Sequence, residues 1–176
     1  MVRKSFDPRI VAATAVMTAV VFILTRVIQV PTPVVGYIHL GDVGVFFSAF
    51  AFGPWVGAVA GGLGTALADL TSPYAQWAIF SLLIHGAQGW VAGWLLARLS
   101  GAKGILLAAI TGAAIVVAGY LLAGTILVGF AAALTEIPLN LVQVATGAVV
   151  SAPLYAAVRQ AYPPIAGWGR HGSTGE

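Results

Sequence analysis

Polar side chains are so sparse along this chain that their positions, more than those of the apolar residues, mark out its elements. Long apolar runs cover residues 10–30, 76–97, 104–130 and 137–158. Each is near the ~20 residues with which a helix crosses a ~30 Å hydrocarbon core. The ~10-residue alternating segments of a closed β-barrel are not found. A fifth stretch, residues 40–70, reads LGDVGVFFSAFAFGPWVGAVAGGLGTALADL and is either one kinked helix or two short ones broken at Gly53-Pro54. Proline disfavours helical geometry in the residue before it and fits the first turn of a new helix, which favours a break. Membrane helices nevertheless tolerate internal proline.

Composition turns this pattern into a class. Of 176 residues, 60% are hydrophobic and 7% charged, with a mean hydropathy of +0.98. Soluble domains carry roughly 25% charged residues, so the chain reads as an integral membrane protein. A net charge of +3, scattered along the sequence, does not suggest nucleic acid. With no cysteine there is no disulfide framework, and the redox compartment stays open. The basic residues in MVRKSFDPRI precede an apolar run longer than a signal-peptide core, and no small-x-small cleavage site closes it.

The cations decide the helix count. Six crossings with a cytoplasmic N-terminus place Arg3, Lys4, Arg9, Arg98, Lys103, Arg159 and Arg170 on the cytoplasmic side, whereas five put Arg98 and Lys103 outside. The predicted fold is therefore all-α, a polytopic bundle of six transmembrane helices over residues 10–30, 40–53, 54–70, 76–98, 104–129 and 135–159. Residues 1–160 form one domain and residues 161–176 a short cytoplasmic tail, of which GWGRHGSTGE is expected to be frayed, and both termini are cytoplasmic. The second and third spans are short enough to need local packing or bilayer thinning. Arg26, His39, Asp42, Asp69 and Glu136 then fall together at the outer ends of helices. PTPVVGYIH and TSPYAQ become ordered outer loops.

Two spans carry polar stripes. In the sixth, Glu136, Asn140, Gln143 and Gly147 follow at spacings of four, three and four, and in the fourth, Trp77, Ser81, His85 and Gln88 at four, four and three. Polar groups inside a membrane turn toward a wet cavity or toward neighbouring helices, and both readings apply here. His85 is either a ligand contact or a satisfied packing residue. Trp90 and Trp94 lie on the opposite face, toward lipid. Gly57, Gly61, Gly64 and Ala68 allow close helix packing. Asp69 closes the third span against the macrodipole and calls for a partner such as Arg26 or a ligand, whereas Asp42 opens the second span as an N-cap. Arg26 can snorkel outward along its stem. Ala12, Ala15 and Ala19 make a small-residue line on the first span.

No GxxxxGK[ST] motif is present, so the chain has no nucleotide-hydrolysis site of that type. HExxH is also absent, and HLGD lacks the preceding glycine of a GxGD protease. His39, Asp42, Asp69, His85 and Glu136 have no recognised metal-ligand spacing. They leave open a self-sufficient metal-ion or small-solute permease, and, less favoured for want of a nucleophile or metal motif, a membrane enzyme.

Three segments carry a resemblance: the GY-I-x-LGD opening, the run GPxxGAxxGGxGxALAD, and E-I-P-x-N-x-x-Q in the sixth span. Over about residues 10–160 the chain resembles the substrate-binding S components of energy-coupling factor (ECF) transporters, closest to the riboflavin-type group that includes hydroxymethylpyrimidine, pyridoxine and cobalamin carriers. That resemblance implies a non-enzymatic, cofactor-free subunit in the prokaryotic plasma membrane. It would capture a vitamin or vitamin precursor outside and work with a transmembrane coupling protein and two cytoplasmic ATPases. It further implies a site built from Tyr37, His39, Tyr74, Trp77, His85, Gln88, Asn140 and Gln143. Glu136 would pair with a cationic substrate or with Arg26. Aromatic rings would sandwich a flat heterocycle while amides and histidine read its heteroatoms. His39 stands where relatives would more often carry asparagine or another polar residue. The family's AxxxA docking motif matches Ala15 and Ala19.

Overall fold

Asp7 starts the first helix by accepting a hydrogen bond from the Arg9 amide at 2.9 Å, with Pro8 in the first turn. This computed structural model describes residues 7–34, 36–99 and 101–168. Helix α1, Pro8–Val27, leads into an antiparallel hairpin of β1, Gln29–Pro31, and β2, Tyr37–His39, in which Gln29 pairs with His39 and Pro31 with Tyr37. There follow α2, Gly41–Phe52, and α3, Pro54–Leu70. A 3₁₀ turn, Ala75–Trp77, opens α4, Ala78–Arg98. Helix α5, Ala102–Val128, is followed by a short α6, Phe130–Thr135, then α7, Ile137–Ala161, and α8, Ile165–Trp168.

The ambiguous stretch is two helices. Gly53 adopts φ 87°, a left-handed conformation that L side chains resist, and Pro54 sits in the first turn of α3. Gly129, at φ 91°, separates α5 from α6 in the same way, so the expected link between the last two spans is itself a helical turn. Among the described residues, four helical segments are long and apolar enough to cross a membrane: Pro8–Val27, Ala75–Arg98, Ala102–Val128 and Ile137–Ala161. Helices α2 and α3, with 12 and 17 residues, are shorter. Of the cations used to count crossings, Arg3, Lys4 and Arg170 lie outside the described residues. Most of the stretch expected to be frayed, GWGRHGSTGE, lies outside the described residues; α8 at its start packs on α2 through a buried Ile165 and a ring contact of Trp168 with Phe52 at 5.7 Å.

Packing explains how so short a helix as α2 is kept. It is buried along nearly its whole length and touches α1, α3, α4 and α7. The α3–α4 seam is held close by small residues: a Cβ on Gly57 would stand 2.7 Å from the Gly89 carbonyl, and one on Gly61 2.7 Å from the His85 carbonyl. Gly64 faces Val21 of α1, and Gly147 of α7 lies against the backbone and Cβ of Asp42. Large apolar side chains such as Val16, Trp55, Leu83 and Val149 point outward, while the interior encloses polar groups. That arrangement suits a lipid surround, where apolar exterior surface carries no penalty.

Candidate functional site

The hairpin, the 71–77 turn and α6 meet at one end of the bundle, over a cavity of about 550 Å³ counting its open mouth. Tyr37 and His39 of the hairpin line it. Asp69 enters from the end of α3, Trp77 and Ser81 from the start of α4, and Tyr120 from α5. Helix α7 supplies Glu136, Asn140 and Gln143, and apolar wall comes from Val34, Val128 and Ala133.

Beneath the cavity lies a closed polar layer. Gln88 Nε2 donates to Asp42 Oδ1 at 2.6 Å and Gln143 Nε2 donates to Asp42 Oδ2 at 2.8 Å. Because a carboxylate only accepts, both amide orientations are fixed. Gln88 Oε1 then accepts from His85 Nδ1–H at 2.8 Å, and His85 Nε2 is hydrogen-bonded with the Tyr120 hydroxyl at 3.1 Å. The Tyr120 and Ser81 hydroxyls are hydrogen-bonded to each other at 2.7 Å. His85, Gln88 and Asp42 are each fully buried, which such a network tolerates only when its members are satisfied.

The hairpin is fastened to this layer. The His39 backbone N–H donates to Gln143 Oε1 at 3.1 Å, and the Gly41 amide donates to His39 Nδ1 at 3.0 Å, leaving the neutral ring's proton on Nε2. Burial, reinforced by the neighbouring His85 and opposed by Asp42, lowers His39 from 6.5 to about 3. The Tyr37 hydroxyl donates to Asp69 Oδ1; burial and then the adjacent carboxylate raise its phenol above the ordinary value, so it stays a donor. Tyr37 also packs on Tyr74, ring centroids 4.5 Å apart.

Of the residues expected at the site, Tyr37, His39, Trp77, Glu136, Asn140 and Gln143 line the cavity together. Tyr74 stands behind Tyr37, and His85 and Gln88 belong to the layer below. Asp42 is not an N-cap: Leu40 holds that position without a side-chain bond, and the Asp42 carboxylate points inward to two amides. The partner of Asp69 is Tyr37, while Arg26 donates through Nε to the Thr71 carbonyl at 3.2 Å. Neither Asp69 nor Glu136 forms an ion pair with it among the described residues. Tyr120 was missed; its signal was the single aromatic hydroxyl inside a 27-residue apolar helix whose other hydroxyls are those of Thr111 and Thr125. His39, Asp42 and His85 could bring one ligand atom each within 4.8 Å of the others, but the Asp42 oxygens and both His85 nitrogens already serve the network.

The sequence profile of the ECF-type riboflavin transporter S component matches residues 5–160. The chain is 35% identical over 144 residues to the "Thiamine precursor transporter HmpT" of Lactococcus lactis subsp. cremoris, covering 78% of this chain and 80% of that protein. It is 34% identical over 146 residues to a Pyrococcus woesei protein described as "Uncharacterized protein in gap 3'region", covering 82% of this chain and 98% of the relative. With a family match across nearly the whole helical portion and, among the described residues, four helices apt for a bilayer, the chain belongs to the ECF-type riboflavin transporter S component family, a family of transporter subunits.

Proposed function

We propose that the protein is the substrate-capturing subunit of an ECF-type importer and that the hairpin-covered cavity holds a water-soluble heterocyclic vitamin or vitamin precursor. The observation that carries this reading is the joining, in one partly open cavity, of rings from Tyr37, Trp77 and Tyr120 with the side chains of His39, Asn140 and Gln143. Rings supply flat apolar contact and the polar tips fix orientation, the usual make-up of a small-molecule site. Similarity to HmpT favours a thiamine precursor over riboflavin, pyridoxine or cobalamin.

In this reading α1 to α5 and α7 all cross the membrane, α2 and α3 being accommodated by their helical neighbours, and the cavity faces outward with both termini cytoplasmic. Ala15 and Ala19 lie exposed on α1 and so offer a small-residue face to a coupling protein, which would join two ATPases. The test is a binding panel of vitamins and precursors on purified protein, with mass spectrometry of any copurified ligand. One-to-one binding of one panel member is expected. Tight metal binding with no organic ligand would instead support a self-sufficient permease.

A further inference from the structure

We infer that Asp69, together with Glu136, selects a ligand that presents an amino or other N–H donor and rejects one that carries an acidic group; this rests on the cavity being a vitamin-capture site.

Asp69 is 1% exposed and ends α3, where the helix dipole does nothing to stabilise an anion. Its Oδ1 receives the Tyr37 hydroxyl, but its Oδ2 receives no hydrogen bond. The nearby Ser81 hydroxyl gives Oδ2 no hydrogen bond and is paired instead with the Tyr120 hydroxyl at 2.7 Å. Glu136 Oε1 is likewise buried without a partner. Both acids line the cavity, and among the described residues no lysine or arginine does. An unpaired buried acceptor costs free energy that a donor from the ligand removes, most strongly when the bond is charge-assisted. His39 and Gln143 line the same cavity and can offer N–H groups to an acceptor, such as a ring nitrogen. The fitting class is an amino-substituted nitrogen heterocycle, neutral or cationic. A phosphate or carboxylate would meet two acids and no cation.

The experiment is equilibrium binding of three probes, 4-amino-5-hydroxymethyl-2-methylpyrimidine, its 4-oxo counterpart and its phosphate ester, to the full chain in detergent and to D69N and E136Q. The wild type should prefer the amino form over the oxo form by at least about 10-fold and bind the phosphate ester weaker still. D69N, which replaces an acceptor by a possible donor, should lose about 10-fold or more for the amino form and narrow or reverse the preference. E136Q, at a half-buried position, should narrow it too. Equal wild-type binding of the amino and oxo forms, or tight binding of the ester, overturns the inference and leaves vitamin capture standing. An unchanged preference in E136Q overturns the shared role of the two acids, even if D69N does not fold. A wild type that binds no probe and no vitamin overturns the capture reading, and the inference with it.

Discussion

Asp42 and Asp69 are both buried aspartates, on adjacent helices α2 and α3, yet the first accepts hydrogen bonds with both oxygens and the second with only one. The difference separates two regions that residue type and depth alone would merge. Around Asp42 the amides of Gln88 and Gln143 are oriented by an acceptor that cannot donate, and His85, Tyr120 and Ser81 complete the chain of bonds. Around Asp69 and Glu136 the set of donors stops short. In a nearly uncharged interior, satisfaction rather than burial distinguishes polar groups that hold helices together from those that face a ligand.

Three substitutions and one titration can break this comparison, in descending order of their effect on stability. Asp42→Ala removes the acceptor of two buried amides and should cost about 2–5 kcal/mol, read as a large loss of thermal stability in detergent. A melting temperature near that of the wild type would show that the lower layer is not structural. Gln143→Ala should cost about 1–3 kcal/mol and also weaken ligand binding, because that amide joins Asp42 to the hairpin and lines the cavity. On the stripe in the sequence it is indistinguishable from Asn140, for which Asn140→Ala should leave stability within about 0.5 kcal/mol and lower affinity about 10-fold. Equal effects of the two on melting would erase the boundary between the regions.

The titration concerns His39, which lies at that boundary. Its folded value of about 3 is below the 6.5 of an unfolded histidine, so between those values the unfolded chain binds the extra proton. Its contribution to stability is complete above pH 6.5 and is lost as pH falls toward 3, with a slope up to about 1.4 kcal/mol per pH unit. His39→Gln should flatten that slope in pH-dependent melting. Ligand affinity should not vary with His39 charge between pH 5 and 8, since the ring is neutral throughout.

Apolar runs interrupted by Gly53-Pro54 were enough to set the helix boundaries within a few residues, because length and hydropathy are local properties and Gly53 and Pro54 act on their own backbone. Periodicity likewise placed Glu136, Asn140 and Gln143 on one face, and Trp77, Ser81, His85 and Gln88 on another. It could not say at what depth the cavity ends along each stripe. That boundary falls between Ser81 and His85 on α4 and runs through Gln143 on α7, where Asp42 arrives from α2, admitted by Gly147. Tyr120 was hidden because the other hydroxyls of its apolar helix, Thr111 and Thr125, stand nine and five positions away and make no shared face with it. The sequence by itself determined a helical membrane protein with polar faces turned inward. Only the tertiary structure decided which polar atoms are paired across helices and which are left for a ligand, since a hydrogen bond between Asp42 and Gln143 joins residues 101 positions apart and depends on a fit that no local pattern contains.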